Sequence, residues 1–176
     1  DDMSPSCPST EKQLVLGRAL VEEMLEMGIS DARIDENGYV YGSISANAEG
    51  FPAIGLIAHM DTAPDASGAD IKARIVEHDG SDILLNLEKG SYLREADYPI
   101  LKKSRGKHLI VTDGTTLLGA DDKAGIAEIF TAVEHLINHS EIKHGEIAIC
   151  ITPDEEIGRG ADYFDIEKLN KKYAYT

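Results

Sequence analysis

The sequence has few cysteines, no long apolar run and comparatively few basic residues. Cys7 and Cys150 are too few for a disulfide framework, and such sparse use is typical of a reducing compartment. No stretch is long and apolar enough to predict a membrane span. The start, residues 1–5, is acidic and polar and lacks the form of a signal peptide. We therefore expect a cytoplasmic location.

Negative charge dominates the surface chemistry that this sequence offers. The 17 Lys and Arg residues against 32 Asp and Glu residues give a formal net charge of −15. Electrostatics therefore disfavours a nucleic acid or an anionic membrane as the partner. Carboxylates that bind metal would account for part of this charge, and an ordinary acidic surface explains most of it equally well.

Apolar strands and helical stripes alternate along the chain. Hydrophobic residues make up 42% of the 176 positions, which is enough for a real core. The continuous apolar runs at 52–58 and 147–151 predict strands covered on both faces. Asn37-Gly38 is typical of a tight turn in a hairpin between residues 32–34 and 39–44. The alternation predicts an α/β layer fold.

Helices are predicted at three places in the sequence. The first begins with a capping box formed by Thr10 and Gln13 and ends at Gly28. The second covers residues 122–137 and carries one apolar stripe, and a short amphipathic helix is expected within residues 161–172. Residues 63–107 are polar and predict a hairpin-like excursion with strand-like pieces at 71–76 and 83–87, followed by a short strand at 109–112.

Polar residues follow the two buried strands, where an α/β sheet gathers its chemistry. His59 and Asp61 are two residues apart at a strand end, so their side chains point the same way. An imidazole there is a good zinc ligand, and the carboxylate beside it can fix its tautomer. The pair alone is weak, because His-x-Asp arises often by chance.

Two further acidic segments strengthen this site hypothesis. Asp121 and Asp122 directly precede a helix, where one carboxylate could bridge two metal ions, although simple capping of the helix is equally expected from this segment. Glu155 and Glu156 follow the strand 147–151, and adjacent side chains diverge, so one could bind metal while the other handles a proton. A solvated acidic turn is the alternative. Together the segments supply nitrogen and oxygen ligands for a hydrolytic metal site.

The motifs that carry these residues resemble the di-zinc metallopeptidase family, and within it the aminopeptidases that cleave tripeptides. The wider family also contains carboxypeptidases and amino-acid deacylases. The matching stretches are Pro8-Ser-Thr-Glu11, His59-Met-Asp-Thr-Ala-Pro-Asp65, Thr116-Leu-Leu-Gly-Ala-Asp-Asp-Lys-Ala-Gly-Ile-Ala-Glu128, Thr152-Pro-Asp-Glu-Glu156 and Tyr173-Ala-Tyr-Thr176. The resemblance implies a mixed, largely parallel sheet with helices on both faces.

The resemblance also implies a role for each site residue. His59 would bind the first zinc ion, Asp121 would bridge both ions and Glu156 would bind the second. Asp61 would orient His59, and Glu155 would be the general base that takes a proton from the attacking water. The Asp121–Asp122 peptide bond would be cis.

The family pattern needs a further Asp and a distal His that this sequence does not contain. We therefore interpret residues 1–176 as the first part of a catalytic zinc-peptidase domain, without its lid or dimerisation domain and without the remainder of the catalytic domain. The parent would act on tripeptides and form a homodimer through the absent domain. This chain alone is expected to hold an incomplete site, to bind zinc weakly and to lack peptidase activity.

Other hypotheses remain open from the sequence. A related metal-dependent carboxypeptidase or deacylase is the nearest alternative, and a non-catalytic metal-binding module is the next, although no calcium-loop pattern supports calcium. His135 and His139 lie one helical turn apart but lack the Glu of His-Glu-x-x-His. A solvated helix end, where histidine suits the helix dipole, is favoured over a metal pair.

Overall fold

The hairpin around Asn37-Gly38 begins the sheet, in a computed structural model that describes residue 1 and residues 3–176. The strands of the whole chain, in order, are β1 (Arg33–Ile34), β2 (Val40–Ile44), β3 (Ile54–His59), β4 (Arg74–His78), β5 (Ile83–Asn86), β6 (Ser91–Leu93), β7 (Lys107–Val111), β8 (Ile147–Thr152) and β9 (Tyr173–Tyr175). The helices of the chain are α1 (Glu11–Glu26), α2 (Ala120–Asn138) and α3 (Ile166–Leu169), with short 3-10 turns at Pro99–Ser104 and Glu155–Ile157.

The chain divides into two units, which are described separately. Residues 1–64 and 120–176 form the first unit, and residues 65–119 form the second. The interpretation of the whole chain as the first part of one catalytic domain stays a prediction.

The first unit is built on a five-stranded sheet in the order β1-β2-β8-β3-β9. β2 runs antiparallel to its neighbours, whereas β8, β3 and β9 run parallel to one another. Since β3 and β8 are parallel, their carboxyl ends meet at one edge, where His59 lies beside Thr152. The predicted α/β fold with a mixed sheet is confirmed.

Helices cover both faces of this sheet. On one face, Leu20 and Met24 of α1 and Phe130 and Val133 of α2 pack against β2, β3 and β8. On the other face, Leu169 of α3 packs with a smaller cluster that contains Tyr39, Tyr41 and Cys150. All six residues of β8 are buried, as its continuous apolar sequence predicts.

The ends of the helices differ in detail from the sequence prediction. Thr10 is at the N-cap of α1 but its side chain caps no backbone N–H, so the predicted capping box is wrong. The Gln13 amide donates to the Thr10 hydroxyl at 3.1 Å and to Asp154 at 2.7 Å. Gly28, with φ +95°, follows the helix end as expected. α3 is far shorter than the helix that was expected within residues 161–172. Asp165 caps its start by accepting a hydrogen bond from the Lys168 N–H, and Asn170, in the left-handed region, ends it.

The second unit contains two small antiparallel sheets, β4 with β7 and β5 with β6. His78 of β4 is buried, and its Nε2 lies 3.3 Å from a carboxylate oxygen of Glu95. Arg105 in turn forms an ion pair with Glu95. The expected excursion is therefore a unit that buries Ile83, Leu101 and Val111 together with His78. Its strand β4 begins three residues later than the predicted piece at 71–76.

Across the described residues, no helix combines the length and the apolar character that crossing a lipid bilayer requires.

Candidate metal centre

Two strand ends bring the predicted site residues to one edge of the sheet. His59 is the last residue of β3 and is buried, and the turn that carries Glu155 and Glu156 directly follows β8. The backbone N–H of Met60 donates to the carbonyl of Thr152 at 3.0 Å, which continues the pairing of the two segments past the strands. The register of the parallel pair therefore fixes how closely His59 approaches the two glutamates.

The imidazole of His59 contacts carboxylates at both of its nitrogens. Its Nδ1 lies 3.3 Å from Oδ1 of Asp61, although the alignment falls short of a hydrogen bond. Its Nε2 lies 3.0 Å from Oδ1 of Asp121. Because Asp61 occupies the Nδ1 side, Nε2 is the nitrogen that faces the other acidic residues.

Asp61 is held in place by the turn after β8. Its two carboxylate oxygens accept hydrogen bonds from the backbone N–H groups of Glu155, at 3.0 Å, and Glu156, at 2.9 Å. Only 11% of its side chain is exposed. Asp61 therefore holds the turn after β8 close to His59, and its predicted role in orienting the imidazole stays a prediction.

The two aspartates before α2 do different things. Asp122 accepts a hydrogen bond from the backbone N–H of Gly125 at 3.1 Å, so it caps the regular part of the helix. Asp121 makes no such bond, its side chain is 85% exposed, and it reaches His59. The backbone of both residues is non-helical and the peptide bond between them is cis, as the resemblance implies. The capping hypothesis therefore applies to Asp122, and the carboxylate of Asp121 is available to bind a metal ion.

His59, Asp121 and Glu156 form a group that could hold a metal ion. One ligand atom from each of the three lies within 4.8 Å of the other two. Ligands of one zinc ion, at about 2.0–2.2 Å from it, are at most about 4.4 Å apart, so small side-chain rotations suffice to bring all three donors to one ion. An imidazole nitrogen with two carboxylate oxygens is also a donor set that zinc accepts.

Glu155 borders this group without being one of its three members. Its Oε2 lies 3.8 Å from Nε2 of His59, and 57% of its side chain is exposed. A cleft of about 370 Å³ opens beside it, with Ile57, Ala161 and Phe164 on its apolar wall. A reacting molecule could therefore approach Glu155 from solvent.

Two residues near the site were not identified from the sequence. Asp154 is buried and turned away from the metal group, where it accepts hydrogen bonds from the Ser9 N–H and the Gln13 amide, both at 2.7 Å. Its left-handed backbone, with φ 56°, directs it inward. No sequence signal distinguishes it from the two glutamates that follow.

Lys123 is the second residue that was missed. Burial lowers the pKa of its ammonium group, while the negative charges of Asp61, Glu156 and Asp121 oppose that shift. The side chain therefore lies within the electrostatic reach of the acidic residues of the site. Its place one turn into α2, after Asp121, is the signal that could have identified it.

Comparison with known proteins identifies relatives along the whole chain. No protein-family model matches the sequence. A protein named peptidase T from Clostridium novyi is 60% identical over 171 residues, which cover 96% of this chain and 42% of the relative. The chain spans less than half of the length of the curated relatives that it matches. The resemblance drawn from the motifs is confirmed.

Solved structures of an aminopeptidase and a tripeptidase share this fold. Aminopeptidase PepT from Bacillus cereus matches with a TM-score of 0.63 and 29% identity, over 90% of this chain and 36% of that structure. A tripeptidase from Staphylococcus aureus matches with a TM-score of 0.59 and 25% identity, over 94% of this chain and 43% of that structure.

Proposed function

We propose, from the premise that this chain is homologous to peptidase T along its whole length, that it carries part of the metal site and the general base of an aminopeptidase. The reaction is the release of the N-terminal residue from a tripeptide. The Staphylococcus aureus structure that this chain resembles is named a tripeptidase. The metal is zinc, with two ions in a complete site.

The convergence of His59, Asp121 and Glu156 is the observation that carries this proposal. The three residues come from the end of β3, the start of α2 and the turn after β8, which are far apart in the sequence. Without a cation, two carboxylates lie close to each other beside His59, and their negative charges repel. A cation at their centre compensates the two carboxylates.

The roles of the protein groups follow from their contacts. His59 would hold a zinc ion through Nε2, because its Nδ1 faces Asp61. The carboxylate of Asp61, 3.3 Å from Nδ1, would orient that imidazole. Asp121 and Glu156 would supply the oxygen ligands. When bound, zinc acts as a Lewis acid and lowers the pKa of water toward neutrality.

Glu155 would be the general base of this reaction. Its exposed carboxylate lies beside the metal group, within 3.8 Å of His59, and its backbone is fixed by Asp61. Oε2 of Glu155 would take the proton of the attacking water and pass it to the leaving amine, which requires a carboxylate within hydrogen-bond reach of both.

We also infer that the 176-residue chain by itself binds zinc weakly and does not hydrolyse peptides. A structural zinc ion takes four ligands, and a two-metal site shares its ligands between ions about 3.5–4 Å apart. Within the described parts of the chain, the group contains three ligand residues, which is fewer than two ions need.

Calorimetric titration with Zn²⁺ tests the site. The unchanged chain is expected to bind, and Asp121→Ala is expected to lose that binding event. Asp97→Ala is a matched control, because Asp97 is exposed, lies in the second unit and contacts Arg94 only at 4.0 Å. Binding that Asp121→Ala leaves unchanged would contradict the proposed ligand set.

Hydrolysis of trialanine tests the inferred inactivity separately. Free alanine is measured after incubation with Zn²⁺, and no release above the buffer rate is expected. Release that Glu155→Gln abolishes would refute the inactivity while supporting the role of Glu155. Release that Glu155→Gln leaves unchanged would count against the general-base assignment.

A further inference from the structure

A second pair of metal-ligating side chains lies at the other end of α2. We propose that His135 and His139 form an accessory site for a divalent transition-metal ion, with Cu²⁺ bound most strongly. At about 1.5 Å per helical residue, roughly 20 Å of helix separates His135 from Asp121. The pair is therefore independent of the candidate metal centre, and this inference does not rest on the proposed peptidase function.

The two imidazole rings are already stacked against each other. Their centroids are 4.0 Å apart and their planes are inclined by 29°. Two nitrogens that coordinate one ion at about 2.0–2.1 Å are at most about 4.2 Å apart. Because the lone pair of an imidazole lies in the plane of its ring, the two rings must turn out of this stack before one nitrogen from each can reach the same ion.

A hydrogen bond fixes the tautomer of His139 in the form that a metal ligand needs. Its Nδ1 lies 2.8 Å from the backbone carbonyl oxygen of His135. Because a carbonyl can only accept, Nδ1 carries the proton, and Nε2 of the neutral ring has its lone pair available. Histidines that bind metals commonly donate their other N–H to a backbone carbonyl in this way.

The surroundings of the pair favour a cation and limit the motion of the following turn. The carboxyl-terminal end of a helix carries partial negative charge, which stabilises positive ions. The side chain of Asn47 donates to the carbonyl of Ile142 at 2.8 Å and accepts from the His144 N–H at 2.9 Å. Lys143, the cation in this turn, donates to the Ser140 carbonyl at 2.9 Å.

The chemistry of the donors selects the metal. Two imidazole nitrogens with open positions for water suit copper, nickel and zinc, and Cu²⁺ has the highest affinity in the order of first-row divalent ions. The sequence favours a solvated helix end, and the bond from His139 to the His135 carbonyl does serve as a helix cap. The closeness of the two rings and the hydrogen-bonded Nδ1 of His139 are what the structure adds in favour of metal binding.

Copper titration of the Asp121→Ala variant tests the pair without interference from the candidate metal centre. Electron paramagnetic resonance is expected to show one Cu²⁺ coordinated by two nitrogens. His135→Gln is expected to weaken binding at least about tenfold, since even the loss of an outer partner of a ligand costs 10–100-fold. This variant keeps His139 and its bond to the backbone. His108→Gln, at an exposed histidine of the second unit, is the matched control and is expected to bind as before.

A structural role without metal binding gives a different result. His139→Gln would then lower the melting temperature, followed by circular dichroism, while Cu²⁺ binding would be absent or equal in all variants. Either of these copper results would overturn the proposal. A loss of nitrogen coordination in both His135→Gln and His139→Gln, with the far-ultraviolet spectrum unchanged, would support it.

Discussion

The carboxylate of Asp61 accepts a hydrogen bond from the backbone N–H of Glu156 at 2.9 Å. Its other oxygen accepts from the Glu155 N–H and lies 3.3 Å from Nδ1 of His59. One side chain therefore connects the end of β3 with the turn after β8. Hydrogen bonds to Asp61 therefore hold the turn of Glu155 and Glu156 near His59, in addition to the pairing of β3 with β8.

Asp61→Asn is expected to weaken zinc binding while the fold persists. The amide keeps the shape of the side chain but removes the negative charge beside His59 and one of the two acceptor oxygens. Outer partners of metal ligands contribute about 10–100-fold to affinity, and we expect a loss of that size in calorimetric titration with Zn²⁺. Asp97→Asn serves as the exposed control. Equal affinity in the two variants would show that Asp61 does not position His59 for a metal.

Substitution of Asp121 is expected to affect zinc binding, whereas substitution of Asp122 is expected to affect the stability of the fold. Asp122→Ala removes the cap on the Gly125 N–H and should lower the free energy of unfolding by about 1 kcal/mol, with zinc affinity much less affected than in Asp121→Ala. Asp121→Ala removes a proposed ligand and should therefore weaken zinc binding. Because that side chain is 85% exposed, the stability of the metal-free chain should change little. Urea unfolding and calorimetry, applied to both variants, measure the two effects. The reverse pattern would contradict the division of roles between these neighbours.

Asp154→Asn is expected to destabilise the turn that carries both glutamates. The carboxylate accepts hydrogen bonds from the N–H and the hydroxyl of Ser9 and from the Gln13 amide. Hydrogen bonds to charged groups contribute about 1.5–3 kcal/mol each, and an amide nitrogen would face a donor there, so we expect a loss of about 2–3 kcal/mol in urea unfolding.

Asp162→Asn is the control for that measurement. Its side chain is 49% exposed and pairs with Arg159 at 3.3 Å, and such a pair near the surface contributes about 1 kcal/mol or less. If the two variants unfold at the same urea concentration, the buried network around Asp154 does not stabilise the turn.

The residues of the sheet and of the candidate site were predictable because their signals are local. Asn37-Gly38 predicts the hairpin, and the apolar run at 147–151 predicts β8, which is buried throughout. His59, Glu155 and Glu156 follow from their positions after β3 and β8, since parallel strands end at one edge. Asp121, at the start of α2, was assigned to the site only through the family resemblance. The structure brings together the three predicted ligands, and their binding of zinc stays a prediction.

The residues that were not predicted depend on contacts between distant parts of the chain. Gln13 was assigned to a local capping box, and its amide does donate to the Thr10 hydroxyl. It also donates to Asp154, a buried charged acceptor 141 positions away that no local pattern indicates. The helix predicted over 161–172 is interrupted because Asp165 and Asn170 form its two ends within six residues. Neither outcome is encoded by periodicity.

Cys150 is expected to make the stability of the chain fall at alkaline pH. Burial raises the pKa of its thiol from 9.0 to about 12. The unfolded chain therefore loses this proton at a lower pH than the folded chain does. The stabilising effect of the raised pKa is complete below pH 9 and is lost progressively as pH rises toward 12, with a slope of at most about 1.4 kcal/mol per pH unit for one proton.

Urea unfolding between pH 8 and 11 measures this slope, and Cys150→Ala isolates it. The variant is expected to be less stable at every pH because it leaves a cavity among Tyr39, Tyr41 and Leu169, but its stability should decline less steeply above pH 9. A thiol reagent at pH 8 should leave Cys150 unmodified in the folded chain and react with it after unfolding. Parallel slopes for the two chains, or rapid modification of Cys150 in the folded one, would mean that the thiol is not shielded by this second core cluster.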